Sequence, residues 1–404
     1  MNICFYTGKE VSPEIGGTER ITASVAAGLS KYYGIKCYSI YTMKIPFEFE
    51  KYKFEETLFL KNHQKEYTQL INFLKCNHID VLINQGAFDL CAFFRKVANE
   101  AGTKLITVHH FDPGYEEHFV TFHSLLSQIK KKKDPLRKIW NIAKIPYFPI
   151  KKMKYVRGVP ATYKEAYEYS DRVVLLSKNF KDDFLTYGRI KNAGNKIRVV
   201  PNCLSFDVFF DINKYSSKEK VVLIVSRLDE VQKRISLALK IWKDLCSNGN
   251  YNDWKLLIVG HGDYEGEYKS YVQRNNLKNV FFEGTQKPQS YYERASIFML
   301  TSSHEGWGLT LTEAQQFGCV PLAFNSYKSL SDIITDGQNG YIIQDLDMET
   351  YKRRMQSLMD NTNLRKEMAS HAIEDAKRYT PLVVCKRWYE ILKDLMAHEV
   401  LEID

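Results

Sequence analysis

The sequence predicts an α/β protein built from two doubly wound domains, and three observations carry that expectation. Short apolar runs rich in Val, Ile, Leu and Phe alternate with segments of helical periodicity along most of the chain, the pattern of parallel strands joined by crossover helices. Twelve such runs are too many for one sheet in one core, and 404 residues are enough for two cores of ordinary size. Between the sixth and seventh runs, Leu204 to Lys220 turns polar and lysine-rich, which places the domain break after Pro201-Asn202-Cys203.

In chain order, the expected strands of the first half are Ile3 to Thr7, Cys37 to Tyr41, Val81 to Asn84, Leu105 to His109, Val173 to Ser177 and Ile197 to Pro201. Those of the second half are Val221 to Ser226, Trp254 to Val259, Val280 to Glu283, Ile297 to Thr301, Pro321 to Phe324 and Gly340 to Ile343. Sheets of this kind bind ligands beyond the carboxyl ends of their strands, so the residues there are the first candidates for chemistry. After the first strand, Gly16 and Gly17 precede a helical run to about Tyr33, and paired glycines let backbone approach a ligand without side-chain collision. Their spacing is not the dinucleotide fingerprint Gly-x-Gly-x-x-Gly. His109 and His110 end the fourth strand, where a histidine either reaches a ligand or caps its loop by hydrogen bonding. Arg227 ends the seventh strand and Lys233 follows six residues later; two such cations either neutralise a diphosphate or face solvent. Arg234 beside Lys233 leaves the lysine assignment open by one residue. Gly260 and Gly284 follow the next two strands, and Val384 to Val400 closes the chain as an amphipathic helix with Trp388, Leu392 and Leu395 on one face.

Composition narrows the class. With 44% hydrophobic and 26% charged residues the chain is of the soluble globular type, and no run approaches the ~18 apolar residues of a membrane-spanning helix. The amino-terminal residues read as a strand rather than a signal peptide, so a cytoplasmic protein is expected. The eight cysteines are scattered, mostly among apolar neighbours and without a Cys-x-x-Cys pair, as reduced core thiols are. Between Gln128 and Arg157, eleven basic residues, Lys130, Lys131, Lys132 and Lys133 among them, face only Asp134, which exceeds the whole chain's net charge of +9. Trp140, Ile142, Tyr147 and Ile150 interleave with this charge, a mixture that suits an anionic lipid surface. The same stretch also reads as a solvated basic face with its apolar residues packed inward. No nucleic-acid-binding motif accompanies it, so nucleic acid is not an expected partner. Asp345-Leu346-Asp347 has an Asp-x-Asp form that can hold a divalent ion, but it follows the last strand, where a solvated loop is expected.

The most informative stretch runs from Ser303 to Ala314. An apolar strand ends at Thr301, Gly306 and Gly308 permit tight or left-handed turns around Trp307, and Leu309 to Phe317 continues as a helix that Gly318 ends. Glu305 precedes that helix and Glu313 lies on it. Helix-start amides near Leu309 and Thr310 can hold a diphosphate, with a carboxylate on either side for hydroxyls. Glu305 and Glu313 around Gly306-Trp307-Gly308 resemble the Glu-x7-Glu signature of the retaining glycosyltransferases of family 4, which have the GT-B fold of two Rossmann-like domains flanking a cleft.

The resemblance covers most of the chain outside a basic insertion at about 122–157, and it implies a role for each candidate. Glu305 meets the donor sugar and Glu313 the nucleotide ribose; Arg227 and Lys233 resemble an Arg-Leu-x5-Lys element that grips the diphosphate, with four residues here rather than five between Leu228 and Lys233. Gly16 and Gly17 resemble a Gly-Gly-x-Glu-Arg loop facing that diphosphate, while Gly260 and Gly284 shape the nucleoside pocket. His109 aligns with a histidine beside the transferred sugar, with His110 as the neighbour that shares the assignment. The implied domains are 1–203, completed by a terminal helix at 384–404, and 204–383. No metal or other cofactor is expected, since cations and helix dipoles replace it. One departure stands out: Asn325 to Ser331 replaces the glycine-rich loop common in relatives, which leaves the donor sugar open.

The reading is therefore of a metal-independent hexosyltransferase that moves a sugar from a nucleoside diphosphate to a hydroxyl of a saccharide or lipid-linked acceptor in cell-surface glycan synthesis. It would be cytoplasmic and peripheral on the inner face of the membrane. The alternatives are a sugar-nucleotide epimerase or hydrolase on the same fold, and a non-enzymatic membrane or polyanion adaptor built around Lys130 to Lys133.

Overall fold

A computed structural model describes every residue except 15, 47, 64, 119, 121–124, 126–133, 135–139, 144, 192, 193, 248, 250 and 398–404. The chain divides into two compact units, Met1–Val200 with Arg387–Asp404, and Pro201–Lys386.

The first unit holds a seven-stranded sheet of order β3-β2-β1-β4-β5-β6-β7, parallel throughout. Its strands are β1 (Asn2–Lys9), β2 (Lys36–Met43), β3 (Thr57–Phe59), β4 (Val81–Asn84), β5 (Lys104–His109), β6 (Arg172–Leu175) and β7 (Ile197–Val199). Strand β3 was not expected from the sequence: it is three residues long and buries only Leu58, too little to make a pattern. Ile3, Cys4 and Phe5 are fully buried because β1 is covered on both faces, which is why its sequence is a continuous apolar run rather than an alternation. The sheet order reverses between β1 and β4, so a crevice opens at their carboxyl ends. Gly86 lies at that point, where a Cβ would come within 2.4 Å of the Gly8 amide nitrogen; only glycine fits there.

The second unit holds a six-stranded parallel sheet of order β10-β9-β8-β11-β12-β13. Its strands are β8 (Glu219–Val225), β9 (Lys255–Val259), β10 (Val280–Gly284), β11 (Ala295–Leu300), β12 (Val320–Asn325) and β13 (Tyr341–Gln344). One face packs Val222, Ile224, Leu256 and Ile258 against Ile235, Leu239 and Trp242 of the Ile235–Cys246 helix and against Tyr351 and Met355 of the Met348–Asp360 helix. Here the order reverses between β8 and β11. The expected loop after Cys203 is more structured than its composition suggested: Ile212–Ser217 forms a 3-10 helix that buries Tyr215.

The terminal helix begins at Pro381, three residues before the expected start, and is described to Ala397. Asp394 accepts hydrogen bonds from Arg172 (2.9 Å) and Arg198 (3.0 Å), and Tyr389 stacks on Tyr33 at 4.2 Å, so its last turns are fastened to the first unit. Of the eight cysteines six are buried and Cys246 is half-buried, but Cys76 is exposed, contrary to the expectation of core thiols. Among the described residues no helix is long and apolar enough to cross a membrane.

Candidate active site

In the second unit Arg227, Lys233 and Glu305 lie on the loops that follow β8 and β11, where the sheet order reverses. Strand β8 delivers Arg227 just beyond its end, and Asp229 caps the short Glu230–Lys233 helix by accepting from the Gln232 amide at 2.8 Å. That turn is bolted to the loop after β11: the Ser303 amide donates to the Gln232 carbonyl at 2.7 Å, and the Thr301 hydroxyl to the Lys233 carbonyl at 2.8 Å. Lys233 is thereby aimed at Glu305, with Nζ 2.5 Å from Oε1, and the same oxygen accepts from the Ser302 hydroxyl at 2.7 Å. Both side chains are mostly buried, at 15% and 11% exposure. Arg227 is exposed and donates to the Gln232 side chain at 2.8 Å.

Lys233 and Arg234 have different partners. Arg234 has a left-handed φ of 49°, which turns its guanidinium away onto the Thr301 and Ser302 carbonyls and both oxygens of Asp345. Asp345 and Asp347 are accordingly not a plain solvated loop. The first is Arg234's partner, and the second caps the Met348–Asp360 helix through the Thr350 amide at 3.0 Å. Among the described residues no group of three His, Cys, Asp or Glu is placed to hold a metal ion.

The Leu309–Gln316 helix starts as expected. Gly308 is its N-cap at φ 91°, and no side chain caps the helix, which leaves first-turn amides near Leu309 and Thr310 for an anion. Gly306 is pinned by its carbonyl, which accepts from Ser329 at 3.0 Å, and Ser326 donates to the Ser302 carbonyl at 2.6 Å. The Asn325 to Ser329 segment thus braces the Glu305 loop. Tyr327 of that segment is buried beside Gly308; burial first and the Glu305 charge second push its phenol well above the ordinary range. Sequence reading did not find this residue. Trp307 turns inward, 3% exposed and edge-on to Tyr379 at 5.2 Å, so its indole is part of the packing.

Glu313 lies on the Leu309–Gln316 helix. Its carboxylate is fully buried and accepts from Ser205 (2.7 Å) and Tyr292 (2.9 Å), two partners that spacing could not reveal. Gly260 has a φ of 136°, and a Cβ there would meet the Ser226 carbonyl oxygen at 1.9 Å. Its amide donates to the Gly284 carbonyl at 2.7 Å, which knits the ends of β8, β9 and β10 together.

In the first unit, Gly16 caps the Gly17–Tyr33 helix at φ 73°, again without a side-chain cap; Gly17 is the first helical residue rather than a loop residue. His110 meets Gln85 at 3.0 Å, and burial followed by the neighbouring His109 push it down to about 3. His109 is 1% exposed and sits 2.6 Å from Glu116, a partner that was not expected.

Lys130, Lys131, Lys132 and Lys133 lie outside the described residues. The described remainder of the insertion is open: Trp140 and Tyr147 are 64% and 68% exposed, and every residue from Pro149 to Tyr155 is exposed. Of the described apolar residues there, Ile142, Ile150 and Met153 are exposed as well, while Leu125, Ile145 and Phe148 are half-buried.

Residues 205–375 match the family model of the glycosyl transferases group 1. The chain is 28% identical over 232 residues to the amylovoran biosynthesis glycosyltransferase AmsD of Erwinia amylovora, covering 56% of this chain and 63% of that protein. It is 28% identical over 187 residues to the poly(glycerol-phosphate) alpha-glucosyltransferase of Bacillus subtilis strain 168, covering 46% and 27%. The chain therefore spans less than two thirds of the length of these relatives. In fold it is similar to Anabaena HepE in complex with UDP-glucose, with a TM-score of 0.69, 16% identity and coverage of 98% of this chain and 100% of that one. Residues 205–375 are thus similar to the group 1 glycosyl transferases, and the fold of the chain is GT-B.

Proposed function

We propose that this protein transfers a hexose from a nucleoside-diphosphate sugar to a hydroxyl of a saccharide or lipid-linked acceptor, with retention of anomeric configuration. The observation that carries this reading is the Lys233–Glu305 pair at the β8/β11 reversal, next to an uncapped helix start and inside the segment that matches the family. In the free protein the two charges satisfy each other. A diphosphate competes with Glu305 for the ammonium, and the carboxylate so released can accept hydroxyls of the hexose. Lys233, Arg227 and the Leu309 and Thr310 amides stabilise the departing diphosphate as its charge develops, so no metal is required. Glu313 fixes the geometry of the nucleoside side from within the Leu309–Gln316 helix, and His109 offers a hydrogen-bonding group to the substrate.

HepE carries UDP-glucose, and the Bacillus subtilis relative is named for glucosyl transfer to a poly(glycerol phosphate). UDP-hexoses are therefore the first donors to test, and polyol-phosphate or saccharide chains the first acceptors. The basic stretch from Trp140 to Arg157, exposed throughout Pro149 to Tyr155, would dock on anionic lipid, where lipid-linked acceptors reside. The direct test is turnover: Glu305→Gln is expected to lower it at least about tenfold, some 1.4 kcal/mol of barrier, in assays where EDTA has no effect. Wild-type turnover in Glu305→Gln, or its abolition by EDTA, would count against the mechanism.

A further inference from the structure

We propose that Glu116 and Tyr163 are positioning residues that fix the tautomer of His109, so that His109 meets the substrate through Nδ1 as a hydrogen-bond acceptor. The proposal rests on the reading of His109 as a substrate contact and adds what holds it and which of its atoms is offered.

His109 is the last residue of β5, walled by Phe88, Tyr163 and Phe184 at ring separations of 4.6, 5.2 and 6.1 Å. Its Nε2 lies 2.6 Å from Glu116 Oε1. The other carboxylate oxygen accepts from the Tyr163 hydroxyl at 2.5 Å, and that hydroxyl in turn accepts from the Gly114 amide at 2.8 Å. Tyr163 has one hydrogen and spends it on Glu116, so it has none to give to His109 Nε2, 3.3 Å away. Burial opposes ionisation of Glu116, but the hydrogen bonds from His109 and Tyr163 outweigh it and hold the carboxyl below its ordinary range. An ionised carboxylate only accepts, so the histidine nitrogen facing it must carry the hydrogen. In the neutral imidazole the lone pair then resides on Nδ1.

Nδ1 is buried and has no hydrogen-bond partner among the described residues. The Glu116 carboxylate, the Tyr163 hydroxyl and the Gly114 amide of the network are paired with one another or with Nε2, and an unpaired acceptor beside such a network is a place for a hydroxyl donor. A sugar hydroxyl fits that need. The network is assembled from three elements, β5, the 3-10 turn Tyr115–His118 and the Phe148–Tyr169 helix.

The test uses the full chain labelled with 15N-histidine, with His109 signals assigned through His109→Gln. Long-range proton–nitrogen spectra at pH 7.5 are expected to show His109 protonated at Nε2 in the wild type and shifted toward Nδ1 in Glu116→Gln, whose amide can donate to Nε2. With UDP-glucose, or the nucleotide hexose that is turned over in its place, Glu116→Gln and the milder Tyr163→Phe should lower kcat by about tenfold and about threefold, with donor KM within about twofold. Glu116→Asp should recover part of the loss. Protonation of Nδ1 in the wild type overturns the proposal, as does a Glu116→Gln protein that melts lower but keeps the wild-type tautomer. A flipped tautomer in an active enzyme removes the positioning role alone; the expected tautomer in a chain that consumes no nucleotide sugar removes the substrate contact together with the functional reading.

Discussion

Lys233 and Glu305 form a nearly buried ion pair, and the two members do not respond alike to substitution. Removing the lysine leaves a carboxylate in a site it cannot escape, so Lys233→Ala is expected to lose about 3 kcal/mol of stability as well as activity. Glu305→Gln keeps an oxygen for Lys233 and Ser302 to donate to, so its urea midpoint should stay near that of the wild type while turnover falls. Equal destabilisation of both variants would mean that the pair is structural. His110 gives the residue scale a pH signature. Its folded value of about 3 is below the ~6.5 of an unfolded histidine, so its contribution to stability is complete above pH 6.5 and is lost as pH falls from there toward 3. Replacing it by glutamine should flatten the fall of the urea midpoint between pH 6.5 and 4, and an unchanged slope would assign that fall to other groups. What the sequence could not decide at this scale was which cation of the Lys233-Arg234 pair faces the site, because side-chain chemistry alone is equivalent there. The left-handed backbone of Arg234 and its distant partner Asp345 are what distinguish it from Lys233, which meets Glu305. Glu116 and Tyr163 were illegible for the same reason: they stand 47 residues apart, and no spacing rule joins them.

At the scale of elements, the strand ends are where glycine is required and where the site is built. Gly260→Ala would force a Cβ onto the Ser226 carbonyl in a backbone conformation that L side chains avoid, and a loss of at least about 2 kcal/mol is expected in urea unfolding. Gly284, whose Cβ would meet nothing within 4 Å, should lose less when changed to alanine; the reverse order would contradict the packing described. The terminal helix depends on Asp394, half open to solvent, so Asp394→Ala is expected to cost only about 1 kcal/mol while raising amide exchange along Arg387 to Ala397. Most of these elements were visible as apolar runs because strands covered on both faces leave an unbroken signature. The exceptions have physical causes. Strand β3 is three residues long with one buried side chain, and the Ile212–Ser217 turn hides one tyrosine in a polar segment.

At the scale of the molecule, alternation of strand and helix was enough to foresee two doubly wound units, and the observed strand orders add where each unit is open to ligand. The Phe148–Tyr169 helix leaves its first turns exposed, with Lys151, Lys152, Lys154 and Arg157 around Ile150 and Met153, while its later turns bury Val159, Tyr163 and Ala166. Binding to vesicles of anionic lipid is expected to fall steeply between low and about 0.5 M salt and to weaken when those four cations are neutralised, with turnover on a soluble acceptor unaffected. Salt-independent binding would point to apolar insertion instead. The most direct measurement is donor consumption by the purified chain across UDP-, GDP- and ADP-hexoses in the presence of acceptor, with Glu305→Gln beside it and melting temperatures taken in parallel. One donor should raise the melting temperature and be consumed, with Glu305→Gln at least about tenfold slower. If no nucleotide hexose stabilises or is consumed by the wild type, or if Glu305→Gln works at the wild-type rate, the Lys233–Glu305 site does not carry sugar transfer.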